Sequence, residues 1–127
     1  MILQSETDKR IIVKGQLNGK DVYMLIDTGA VAGIISKDVV KDYDLKVNKS
    51  KKFNMEGAGG KFNAYLCETP LYIGGRLMYQ FLVADIRNLV KSIQRETGIE
   101  IVGIISLPQM KGVNIDINTQ ANYINIG

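Results

Sequence analysis

The chain has 127 residues, 46% of them hydrophobic and 23% charged, with a formal net charge of +3. That is one globular domain, 1–127, with room for a single core, and so mild a charge, with no arginine-rich face interleaved with aromatics, gives no case for nucleic acid. There is no His, no Trp and one cysteine, Cys67, which excludes Ser-His and Cys-His nucleophile pairs, histidine metal sites and an internal disulfide.

Residues 1–10 are polar and lack the apolar stretch of a signal sequence, and nowhere do about eighteen apolar residues run together. Residues 1–9 read as a flexible arm or a dimer strand. Cys67 reads as a small buried hydrophobe in a reducing compartment, so the expected location is cytoplasmic unless an export segment has been cut away. Residues 10–17 are predicted to form a strand, Asn18-Gly19 a two-residue hairpin turn, and residues 21–26 the return. A turn at Asp27 leads to a short apolar strand at Ile34-Ile35, and Ser36 caps a brief helix through Tyr43. Residues 46–52 are basic and read as a solvated connection rather than a docking patch.

Residues 53–56 and 61–67 alternate on either side of Gly57-Ala58-Gly59-Gly60, which predicts a second hairpin with a glycine tip. Residues 71–73 and 77–84 predict a third, over Gly74-Gly75. The clearest helix begins with Asp85 as N-cap and carries Ile86, Leu89, Val90 and Ile93 at i, i+3, i+4 and i+7; Gly98 stops it. Residues 99–105 read as a buried strand, and Ser106-Leu107-Pro108-Gln109 as a capping box opening a short helix that ends at Gly112. Residues 112–117 and 122–126 alternate and are expected to close the sheet. The class is mainly β, with one helix of about three turns and one or two short helices.

Asp27 is the best candidate for chemistry. It stands at the end of the apolar run Val22-Tyr23-Met24-Leu25-Ile26, where a carboxylate is costly unless paired or put to use. The plain alternative is an Asx-type turn in which Asp27 bonds its own backbone. Asp21, Asp38, Asp42 and Asp44 have no such apolar frame and read as surface charges. The glycine-rich tip at 57–60 could be a purely structural turn. A phosphate cradle would normally open a helix with a Lys-Ser/Thr ending, whereas residues 61–67 read as strand.

Taken in order, Asp27-Thr28-Gly29-Ala30, the hairpin tip Gly57-to-Gly60 and the run Val102-Gly103-Ile104-Ile105 resemble the retropepsin-like aspartic proteases over almost the whole chain. The helix before the last run is similar to the bacterial branch of that family. The resemblance implies a closed acid-protease β-barrel lobe and an aspartic endopeptidase active only as a homodimer, because one chain carries one such turn. Two Asp27 carboxylates, one per subunit, would share a proton and activate water. Catalytic roles then fall to Asp27, Thr28 and Gly29: Thr28 reaches across the axis, and Gly29 lets backbone and its N–H approach the carboxylate. Substrate, a peptide or protein in extended form, would lie against Ala30, Val31, Met55, Gly57, Ala58, Gly59, Gly60 and Ile104. No metal, organic cofactor or membrane partner is implied. Ala30 brings no hydroxyl to the carboxylates, which places the activity optimum nearer neutral than that of gastric pepsins.

Two positions depart from the family pattern. Ser106 stands where a second glycine is usual, and Gly33 lacks the hydroxyl many relatives carry. Val31, Ala32 and Gly33 together make the cleft more apolar. These departures keep open a catalytically inactive peptide-binding or dimerisation module of the same fold, and an unrelated β-barrel binding protein.

Overall fold

The computed structural model describes residues 1–57 and 60–127. Its strands are β1 (Ile2–Gln4), β2 (Ile12–Leu17), β3 (Lys20–Asp27), β4 (Gly33–Ser36), β5 (Val47–Gly57) and β6 (Gly60–Cys67). There follow β7 (Leu71–Ile73), β8 (Arg76–Met78), β9 (Phe81–Ala84), β10 (Gly103–Ser106), β11 (Ile115–Asn118) and β12 (Tyr123–Ile126). Helix α1 (Arg87–Thr97) precedes β10, α2 (Leu107–Gly112) follows it, and a 3-10 turn covers Lys37–Val39. Among the described residues no helix is long and apolar enough to cross a membrane.

Nine strands form one sheet in the order β5-β6-β9-β4-β10-β3-β2-β7-β8, and β1-β12-β11 form a second. The architecture is mainly β, as expected, with one correction: the large sheet is open. Among the described residues its end strands β5 and β8 do not pair, and β5 has β6 alone as neighbour. Nor do the last two strands close that sheet. They join β1, which extends residues 2–4 along β12.

The position of the site follows from a threading at the centre. β10 lies between β3 and β4, parallel to the first and antiparallel to the second. The chain leaves β3, turns at residues 28–32 and returns as β4, with β10 passing between. That crossing needs Gly103: a Cβ there would overlap the carbonyl oxygen of Ile34 and stand 3.0 Å from Met24 Cε.

Adjacent apolar residues on these strands serve opposite faces, which is why the sequence reads as unbroken apolar runs. Val13, Met24, Ile35 and Ile105 pack on one side with Phe81, Ile124 and Ile126, joining the large sheet to the small one. Ile12, Leu25, Ile34 and Ile104 pack on the other, with Ile93 of α1. Cys67 belongs to the first cluster, and burial pushes its thiol pKa up.

Three local expectations are corrected. Residues 46–52 are not a loop: β5 begins at Val47, and three residues bulge out between the Asn48–Leu66 and Lys52–Tyr65 pairings. Helix α1 starts two residues after Asp85, with Ile86 as N-cap; the Asp85 carboxylate still accepts the Arg87 N–H at 3.1 Å. The third hairpin breaks at Tyr79-Gln80, where Gln80 has φ 67°, so that β9 can leave β8 and join β4 and β6. The capping box at Ser106 and Gln109 forms, and Gly98 ends α1 in the left-handed conformation.

Candidate active site

Asp27 is the last residue of β3, in register with Ser106 at the end of β10. Cover runs out here residue by residue. Leu25 is buried, Ile26 and Asp27 are half-buried, and Thr28 and Gly29 are exposed. Two bonds close the turn: Gly29 N–H donates to Asp27 Oδ1 at 3.1 Å, and Ala30 N–H to the Asp27 carbonyl at 3.1 Å. This is the Asx-type turn, common to the plain reading and the catalytic one. It fixes Oδ1, while Oδ2 accepts no hydrogen bond among the described residues.

A guanidinium lies within electrostatic reach. Arg10 Nε and Nη2 donate to Glu96 Oε1 and Oε2, both at 2.9 Å. Hydrogen bonding to Glu96 and then its charge raise the Arg10 pKa, with Asp27 a lesser contributor. The same guanidinium holds the Glu96 carboxyl below the usual carboxylate range. As an exposed pair it adds little stability. Its consequence is local: Glu96 on α1 engages the Arg10 fork, and the Asp27 carboxylate makes no ion pair among the described residues.

Beside Asp27 the floor is apolar. Ala30, Ala32, Met55 and Phe62 all pack against the cluster containing Leu25, Ile34 and Ile104. Met55 and Phe62 face each other across the β5–β6 hairpin, so the hairpin presents a hydrocarbon underside to that cluster.

The two departures from the family pattern prove to be one arrangement. Ser106 N–H and Oγ–H donate to Gln109 Oε1 at 2.9 and 3.1 Å, and Gln109 Nε2 donates to the Tyr79 carbonyl at 3.0 Å. The amide so held occupies the space over Gly33, where a Cβ would overlap Oε1 and stand 2.5 Å from Cδ and Nε2. A side chain absent at Gly33 is thus replaced by one reaching in from α2. Ser106 and Gln109 are both buried, and no buried side-chain polar atom lacks a partner among the described residues.

Of the residues singled out in the sequence, Ala30, Met55 and Ile104 come together in the apolar floor, and Asp27 ends the strand that contributes Leu25 to it. Thr28 and Gly29 project from the turn into solvent, and Val31 is 80% exposed. Gly57 and Gly60 form the last pairing of the hairpin, while Ala58 and Gly59 lie outside the described residues. Phe62, Gln109 and the Arg10–Glu96 pair were missed. Phe62 was legible, since a hairpin closing at Gly57 and Gly60 sets it opposite Met55.

Compared with known families, residues 13–83 match the model described as "gag-polyprotein putative aspartyl protease". The chain belongs to that family. The match spans β2 to β9, and so takes in the Asp27 turn and the hairpin of this aspartyl protease family member. Among solved structures, the EIAV protease complexed with the inhibitor HBY-793 is similar, at 17% identity, TM-score 0.66, 91% of this chain and 99% of that one. The retroviral protease-like domain of Ddi1 from Leishmania major matches at 19% identity, TM-score 0.60, 92% of this chain and 85% of that one. At such identities the likeness is one of fold. No curated protein sequence matches the chain.

Proposed function

We propose that this single-domain member of the aspartyl protease family is a homodimeric endopeptidase, in which two Asp27 carboxylates, one from each copy, activate a water between them. The observation that carries the reading is the half-buried Asp27 on an exposed turn, one carboxylate oxygen held by Gly29 N–H and the other without a partner among the described residues, beside an apolar floor roofed by a hairpin. Two carboxylates brought together cannot both ionise cheaply. One keeps a proton for the carbonyl oxygen or leaving amine; the other takes one from water, and the titration belongs to the pair. An extended peptide pairs by its main chain under the hairpin, with alternate side chains against Ala30, Met55, Phe62 and Ile104.

Among the described residues nothing explains Gly29 or Val31. A Cβ on Gly29 would meet only Asp27 Oδ1, at an ordinary 3.5 Å, and Val31 is an apolar side chain in solvent. A second copy across a two-fold axis supplies the reason for both, with Thr28 reaching its partner's turn and exposed Met1 and Ile2 of β1 covered as well. The buried thiol of Cys67 accords with a cytoplasmic setting. The second reading, a peptide-binding module without turnover, uses the same floor and the same dimer.

The test is cleavage of a mixed peptide library together with sedimentation. The expected result is a dimer that cuts, and an Asp27→Asn dimer that does not. A monomer across micromolar concentrations, or cleavage unchanged in the variant, removes the proposal. A dimer that binds peptides without cutting selects the second reading.

A further inference from the structure

A groove of about 820 Å³ runs beside the hairpin, between the 3-10 turn, the start of β5 and the β6–β9 ladder. Asp27 does not line it. Its floor is apolar, from Val40, Leu45, Val47 and Val83, and its size is that of a site for a ligand rather than a packing defect. Phe62 lies both in its wall and against the cluster of Leu25, Ile34 and Ile104, so the groove adjoins the apolar floor.

Its rim is cationic. Lys37, Lys41 and Lys49 stand over the floor and make no ion pair among the described residues. Two acids line the groove as well: Asp85 is bound by Arg87 and also feels the charge of Lys37, and Asp38 lies within the field of Arg87. Asp85 is engaged by its Nε and Nη2 at 3.0 and 2.8 Å, and Asp38 also raises the Arg87 pKa by its charge. With the adjoining Arg87 counted, four cations face two acids, an excess of two positive charges along this rim.

The backbone fixes one of those lysines in place. Lys49 opens the three-residue bulge of β5, and Asn48 Oδ1 pins that bulge by accepting the Ser50 N–H at 3.1 Å and the Ser50 hydroxyl at 2.6 Å. A bulge re-aims side chains that a regular strand would turn to alternate faces. The basic run thus departs from its sequence reading as a mere solvated connection: part of it lines a concavity.

We propose that this groove is an exosite for an acidic peptide segment bearing aliphatic or aromatic side chains, the extension of the substrate beyond the cleft. The occupant's carboxylates meet Lys37, Lys41 and Lys49, and its apolar side chains meet Val40, Leu45, Val47 and Val83. The identity of the occupant as substrate rests on the proposed proteolysis; the binding itself does not.

The experiment therefore uses Asp27→Asn protein and fluorescence anisotropy with a short labelled peptide alternating Glu with Leu, beside its Gln-for-Glu and Gly-for-Leu counterparts. The acidic peptide is expected to bind about tenfold more tightly than the Gln counterpart, the sum of three partly screened contacts. That preference should shrink as salt is raised past physiological strength. The Gly counterpart should also bind more weakly. Combined Lys37→Glu, Lys41→Glu and Lys49→Glu should abolish the preference, the three Lys→Gln changes should reduce it, and Lys14→Glu with Lys111→Glu, outside the groove, should leave it intact. Equal binding of acidic and neutral peptides, or a preference surviving reversal of the three lysines, overturns the exosite. Wild-type kinetics separate the two readings. An acidic extension that lowers KM at constant kcat supports the exosite, and equal KM for both extensions refutes it while leaving the protease standing. Selective binding with no cleavage supports the groove and refutes turnover.

Discussion

Gly33→Ala adds one methyl group at a place already filled. The new Cβ would overlap Gln109 Oε1, with Cδ and Nε2 at 2.5 Å, so the amide must leave while the backbone can stay. Its departure breaks the bonds from Ser106 N–H at 2.9 Å and Ser106 Oγ–H at 3.1 Å, and its own to the Tyr79 carbonyl at 3.0 Å. Ser106 is fully buried and water cannot replace those partners in place. Two buried groups left unpaired cost roughly 2–3 kcal/mol. For a domain of this size that lowers the Tm by roughly 8–10 °C. Gln109→Ala alone should cost about as much, since it orphans the same groups. In the Gln109→Ala background the methyl group enters vacated space, so Gly33→Ala should then be nearly free. The assay is chemical denaturation of wild type, both single variants and the double variant, read as a double-mutant cycle. A coupling of about 2 kcal/mol is expected. Additivity within about 0.5 kcal/mol would show that Gly33 and Gln109 do not compete for one volume, and would refute the compensation.

Gly103→Ala should be worse than Gly33→Ala, because its Cβ meets the Ile34 carbonyl, which belongs to backbone that cannot swing away. A loss above about 3 kcal/mol, or failure to fold, is expected by denaturation or expression; a neutral substitution contradicts the close crossing of β4 and β10. Cys67 should resist alkylation in the native state and react on denaturation, since burial raises its pKa and disfavours the thiolate; fast labelling of folded protein contradicts its placement. Arg10 lowers the Glu96 pKa, so the pair's contribution is present above the unfolded carboxyl value of about 4.3 and disappears as pH falls through the lower folded value. Glu96→Gln should therefore be less stable than wild type near neutrality and match it in strong acid, and a difference that grows toward acid refutes the pairing.

What the sequence disclosed is local. Asn18 and Gly19 both take positive φ, 49° and 80°, as a two-residue hairpin requires, and Ser106 and Gln109 cap α2 as their spacing predicts. The order of hairpins and the Asp27 turn were enough for the family. Where the reading failed, the deciding contact lay far along the chain. The lysine-rich start of β5 lacks alternation, yet it forms a strand because β6 offers a partner and a bulge absorbs the extra residues. Strands β11 and β12 read correctly as alternating, but only β1, from the other terminus, determines that they form their own sheet. Gly33 and Ser106 looked like two separate losses because nothing local links either to the Gln109 side chain. Asp85 looked like a cap because its carboxylate does accept an N–H, one residue out of phase with the helix.

Two copies of Asp27 sharing one reaction can be tested directly by mixing. Wild-type protein is combined with Asp27→Asn protein at constant total concentration, allowed to exchange, and assayed for peptide cleavage. If each site needs both carboxylates, activity follows the square of the wild-type fraction, about a quarter in an equal mixture. A fall to about a half would mean that one chain works alone, and would contradict the shared site.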